Sequence, residues 1–138
     1  MDDLCGTPFE GWKEWLEGVW REMPRQFRSE RTVHGTLACH VFWKLAATGL
    51  HVLAGWAPPR APERAIDVIA VNDAGEIRYA VCLDTYVSLQ SVKALSTFEG
   101  AEKLIVTTGP LERKVTESTF YLKPDIRHVH LPVAKPAL

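Results

Sequence analysis

Apolar residues recur along this chain with two alternating periods, and the switches between them mark out the elements. Phe9, Trp12, Leu16, Val19 and Met23 fall on one face at helical spacing. They predict a first helix that ends near Arg21 or Glu22, before Pro24. Thr7 can cap it, Pro8 suits its first position, and Glu10 completes a capping box. Trp15 and Trp20 flank the stripe and widen its contact with a core. Val33, Leu37, Val41 and Leu45 repeat every four residues and predict a second helix from Arg25 or Ser29 to Ala47, with Gly49 as its stop. The pattern then shortens to that of strands: 50–56, 65–71 and 77–85, the last two joined by the turn Asn72-Asp73-Ala74-Gly75. A helix over 87–97 follows, then the β-branched strand 103–108 of the fully buried type. A short helix from Gly109-Pro110 to about Phe120 and a last strand over 126–131 complete the order.

That order is α-α-β-β-β-α-β-α-β. An antiparallel hairpin followed by β-α-β units implies an α/β (α+β) fold, a mixed central sheet flanked by helices. The 138 residues suit one domain spanning 1–138. Within it, 1–24 reads as a helical extension, 25–132 as the core, and 133–138 as a frayed tail. No apolar run is long enough to span a membrane, and the acidic start MDDLCGTPFEG lacks the basic and apolar regions of a signal peptide, so a cytoplasmic location is expected. Three widely spaced cysteines, Cys5, Cys39 and Cys82, form no CxxC pair and point to neither a disulfide framework nor a zinc knuckle.

The net charge of −1 gives no bulk attraction for nucleic acid, but four arginines crowd one segment: Arg21, Arg25, Arg28 and Arg31. On a continuous helix the first three would share a face and could hold phosphates. Otherwise they solvate a surface beside Glu22 and Glu30. The more pointed chemistry lies in the central hairpin. Asp67 and Asp84 each sit inside an apolar strand, where a carboxylate is costly without a partner. Two such acids on neighbouring strands can hold a hard divalent metal through oxygen.

A glutamate-bearing helix, three strands, a helix and a strand, with Glu30, Asp67 in AIDVIAV, and AVCLDT followed by VSLQSVKALS, resemble the PD-(D/E)xK nuclease superfamily, the restriction-endonuclease-like fold. The resemblance covers about Ser29 to Leu131. It implies a metal-dependent hydrolase, an endonuclease or exonuclease acting on phosphodiester bonds of DNA or RNA. Carboxylates of Asp67, Asp84 and Glu30 would hold magnesium or manganese, and a lysine would polarise the attacking water or the phosphate. Pairing across the turn places Cys82 opposite Asp67, so the family's acid-x-lysine falls on Cys82-Leu83-Asp84; shifted by two it falls on Asp84-Thr85-Tyr86. Lys93 on the next helix is the candidate replacement lysine. The arginine segment would grip the nucleic-acid backbone, and the Trp-rich first helix, outside the family core, is a candidate homodimer surface. The same fold without catalysis would be a module binding nucleic acid or a protein.

Each residue also has a plainer role. Asp67 can pair with Arg78, Asp84 can cap the following helix, Glu30 can join Arg28 and Arg31, and Lys93 can be a solvated helix residue. His128 and His130 point to one face of the last strand, with no third zinc ligand nearby. Glycine-rich phosphate loops and Ser-His-Asp arrangements are absent from the sequence.

Overall fold

A computed structural model describes residues 4–132; the expected frayed tail, 133–138, lies outside them. The elements run α1 (Trp12–Glu22), α2 (Glu30–Ala46), β1 (His51–Trp56), β2 (Ile66–Val71), β3 (Ile77–Asp84), α3 (Leu89–Leu95), β4 (Glu102–Thr107), α4 (Glu112–Ser118) and β5 (Ile126–His130), with 3-10 turns at Arg25–Phe27 and Thr119–Tyr121. The strands form one sheet in the order β1-β2-β3-β4-β5, antiparallel through β3 and parallel from β3 to β5. The mixed α+β sheet expected from the element order is therefore present. Among the described residues no helix is long and apolar enough to cross a membrane.

The sheet separates two cores. On one face α1 and α2 bury Leu16, Val33, Leu37, Val41 and Leu45 against Val68, Val81, Leu83, Leu104 and Val106. On the other, α3 brings Val92, Ala94 and Leu95 onto Ile69, Ala80, Cys82 and Ile105. Strands buried on both faces read as continuous apolar runs, as β4 does.

Two helix starts differ in quality. Ser29 caps α2, its hydroxyl accepting from the Thr32 amide, and Gly49 ends the following turn at φ 87. The first helix begins later than its capping signature implies. Thr7 Oγ1 does accept from the Phe9 amide at 3.1 Å, but Glu10 reaches back to the Gly6 amide rather than to Thr7. Gly11, at φ 82, then holds a left-handed conformation that no helix can include, so α1 starts at Trp12.

The arginine segment does not form one helical face. Met23 and Pro24 are both extended, because a residue before proline is pushed out of the helical region. The chain breaks there and restarts at Ser29. Arg28 folds back onto the end of α1, its Nε donating to the Met23 carbonyl at 2.8 Å and its Nη2 to the Arg21 carbonyl at 3.1 Å. Its guanidinium also lies 4.2 Å over the Trp20 ring. Arg21 pairs with Glu17 at 3.4 Å. Arg25 and Arg31 remain exposed. The tryptophans of α1, the candidate homodimer surface, are directed mainly to the chain's own core. Trp12 is buried, and Trp15 and Trp20 pack against the same cluster.

Candidate functional site

Val68 stands opposite Val81 across the hairpin, and one further step along the same register sets Asp67 opposite Cys82. Asp67, Cys82 and Asp84 therefore share the face of the sheet that α3 covers. The Asn72–Gly75 turn sets this register, since Asn72 Oδ1 accepts from the amides of Ala74 and Glu76. So far the hairpin matches its sequence reading.

What meets the two carboxylates is an arginine. Arg64 lies in the loop that leads into β2, and its guanidinium enters the site between them. Nη2 donates to Asp67 Oδ2 at 3.0 Å, to Asp84 Oδ1 at 3.1 Å and to the Leu83 carbonyl at 3.1 Å. Nη1 donates to the Ala65 carbonyl. Nε donates at 3.0 Å to Ser91 Oγ, from the buried face of α3. Asp67 Oδ2 is bound a second time, by the Leu83 amide at 2.6 Å. The side chains of Arg64 and Asp84 are only 21% and 12% exposed, so this is a largely desolvated charge cluster and not a surface pair. The neighbouring carboxylates help to raise the Arg64 pKa above its already high ordinary value against the opposing effect of burial.

Cys82 completes the cluster as a neutral group. Burial pushes its thiol up to about 12; Arg64 opposes this, while Asp84 and Asp67 add to it. A thiol held protonated at that level is a poor nucleophile near neutrality. Alkylation at about pH 8 should therefore modify the exposed Cys5 and Cys39 quickly and Cys82 only after unfolding. Mass spectrometry of the labelled protein checks this, and fast labelling of Cys82 in the native state would contradict it.

The remaining sequence candidates are dispersed around this cluster. Glu30, at the start of α2, does not join the two aspartates or the arginine network; its Oε1 accepts from the Thr85 hydroxyl. One helical turn on, His34 Nε2 meets Thr108 Oγ1 at 2.8 Å. Thr85 and Thr108 are brought together because the ends of β3 and β4 run side by side, the Thr108 amide donating to the Asp84 carbonyl and the Gly109 amide to the Thr85 carbonyl. A Cβ on Gly109 would fall 2.6 Å from Tyr86 Cζ and 2.7 Å from the Thr85 carbonyl oxygen, so only glycine permits that closeness. Trp20, Arg28, Val33 and Pro110 join Glu30 and the two threonines around a cleft of about 70 Å³.

Lys93 is turned away. Ser91 and Lys93 are two residues apart on α3, some 200° around the helix. Ser91 faces Arg64 and is fully buried, so Lys93 is exposed and lines a separate hollow beside Arg60 and Lys123. No hydrogen bond or ion pair among the described residues joins it to Asp67 or Asp84. The exposed Lys93 matches its plainer reading as a solvated helix residue, whereas those of Asp67 and Asp84 are corrected. Asp67 pairs with Arg64 and not with Arg78, which sits at an irregularity in the β2–β3 register. The cap of α3 is Ser88, not Asp84.

These residues do not fit a divalent metal in this arrangement. One observation points toward an ion: Asp84 Oδ2 is buried without a hydrogen-bond partner. Against it, a guanidinium already occupies the space between the carboxylates, and a dication placed beside it would be repelled. Beside them stands Cys82, whose soft sulfur is a poor donor for magnesium or manganese. Among the described residues no three His, Cys, Asp or Glu side chains are grouped to hold a metal.

Two histidines carry a pH dependence. Burial lowers the pKa of His34 from 6.5, and Arg64 adds to this while Glu30, Asp67 and Asp84 oppose it. Burial also lowers His130, with Lys13 adding to it. His130 is linked through Thr107 Oγ1, at 3.0 Å, to His128 at 2.8 Å. Below pH 6.5 the unfolded chain binds protons that these folded imidazoles resist, so stability is greatest above that value and falls as the pH drops through it. Urea melts from about pH 8 to about pH 5.5 should show this loss, and the double variant His34→Asn/His130→Asn should flatten it. Stability that rises on acidification would contradict the assignment.

Compared with known proteins, the chain matches no family model, no curated protein and no solved structure.

Proposed function

We propose that this chain is a nuclease-like fold that binds nucleic acid without hydrolysing it, its strand carboxylates held by an internal arginine and not by a metal. The observation that carries this reading is Arg64 bridging Asp67 and Asp84 at 3.0 and 3.1 Å. Three further features support it. Cys82 and Asp84 stand where the resembled family has an acid and a lysine, the thiol is protonated, and Lys93 lies on an outer surface. Charge is conserved in kind but rearranged: the cation comes from the loop before β2, and the acid that replaces the lysine becomes its partner. A guanidinium with this many acceptors is a fixed structural element.

The test is to incubate the protein with single- and double-stranded DNA and with RNA, in magnesium or manganese, beside Asp67→Asn. Binding without cleavage is expected, with both proteins alike. Metal-dependent cleavage by the wild type that is lost in Asp67→Asn would overturn the proposal. It would favour the second reading, a magnesium- or manganese-dependent nuclease using Asp67, Asp84 and Glu30. The unpartnered Asp84 Oδ2 is the observation in favour of that reading, and it requires Arg64 to withdraw.

A further inference from the structure

The segment first expected to hold phosphates is largely spent on other work, since Arg21 is paired with Glu17 and Arg28 is tied to two carbonyls and a tryptophan face. A different surface gathers cations that have no such employment. Arg60 from the loop between β1 and β2, Lys93 from α3 and Lys123 from the loop before β5 line one hollow of about 480 Å³. They come from three segments far apart in sequence, so the fold, and not local composition, assembles them. None of the three has a carboxylate within ion-pair distance among the described residues, although Glu63 lies in the same wall. Four other cations are paired or stacked, Arg113 with Glu117, Lys103 with Asp125, Lys44 on Trp15 and Lys114 on Tyr86, whereas Arg25 and Arg31 are exposed but line no hollow with these three. Three unpaired like charges around one concavity repel each other and focus a positive potential into it. The Ser96 and Thr97 hydroxyls on its floor donate to carbonyls of α3, so they keep lone pairs and supply no competing charge.

We infer that this hollow, with Arg60, Lys93 and Lys123 as its contacts, receives the phosphodiester backbone of a nucleic acid. The inference rests on the binding-module reading above and gives it a surface. The hollow is wider than one phosphate requires, which suits a backbone running through it with successive phosphates on separate cations. Contacts of this kind position a strand and carry no base information, so affinity should be salt-dependent and tolerant of sequence.

Fluorescence anisotropy on the full chain tests this with short labelled single-stranded DNA, the same sequence as RNA, and duplex DNA, across a salt series. The triple variant Arg60→Glu/Lys93→Glu/Lys123→Glu should lose at least about tenfold in affinity, and its log-affinity against log-salt slope should shrink by about two. Arg25→Glu/Arg31→Glu should change affinity by less than about threefold. Lys93→Ala alone, which removes one exposed ammonium, should give a smaller loss with the same sign and serves if the triple variant misfolds. The three probes separate DNA from RNA as the source of the phosphates. If the hollow variants bind with unchanged affinity and slope while Arg25→Glu/Arg31→Glu loses binding, the hollow is not the site and the binding-module reading stands. If the wild type binds none of the three probes, that reading fails and this inference fails with it.

Discussion

Replacing Arg64 with alanine should lower the folding stability by about 3–5 kcal/mol, the cost of removing one member of a buried ion cluster. The deleted guanidinium satisfies Asp67, Asp84, Ser91 and the carbonyls of Ala65 and Leu83 together. Its loss leaves two largely desolvated carboxylates facing each other on one sheet face, with Asp84 Oδ2 already lacking a partner. The penalty is mainly that of uncompensated charge. It follows that Arg64→Met combined with Asp67→Asn and Asp84→Asn should recover most of the loss, because replacing the whole cluster removes the charges along with their partner. Urea unfolding of the two variants measures both effects. A loss below about 1 kcal/mol in Arg64→Ala would mean that the guanidinium is a surface group of little energetic weight.

The second large effect concerns the first helix. Trp12→Ala should cost about 3–5 kcal/mol, the range for deleting a buried aromatic side chain. Trp12 is 3% exposed, between Phe9 and Leu16 at 1% and 0%. It packs edge-on against Phe9 at 4.9 Å between ring centroids, and Phe9 in turn meets Tyr79 of β3 at 6.0 Å. These rings join α1 to the sheet, so the helix behaves as part of the core and not as an appendage. The loss should be the same at all protein concentrations. A midpoint that moves with concentration in the wild type but not in Trp12→Ala would instead place Trp12 in an interface between copies.

The sheet and its register were legible because local chemistry and global pattern agree there. A two-sided turn signal, alternating β-branched residues and a buried run at 103–108 leave few alternative pairings, and a one-residue slip would turn Asp67 and Asp84 into the other core. The four-residue apolar repeat of α2 and its Ser29 cap are equally direct. The partner of the acids was harder to see. Arg64 precedes the strand, outside any periodic pattern, and only the folded entry of the loop carries its side chain over β2 and β3. The signal available was the number of acids in need of a cation and an arginine three residues before one of them. Arg78 was the arginine that strand alternation offered, and it falls at the register irregularity opposite Ala70 and Val71. The arginine stripe failed for a different reason: Pro24 breaks the helix on which the spacing argument depends, and that proline was in plain view. The hollow lined by Arg60, Lys93 and Lys123 depends on loops whose paths no periodicity encodes.

The Arg64 guanidinium bridges Asp67 and Asp84 on one sheet face. Manganese titrated into the 15N-labelled protein reads this directly, because the paramagnetic ion broadens amides near it, and the Leu83 amide is bound to Asp67 Oδ2 at 2.6 Å. The expected result is that the Leu83 and Asp84 amide signals persist in stoichiometric manganese in the wild type. Loss of those two signals at stoichiometric manganese, with distant amides unaffected, would contradict that bridge.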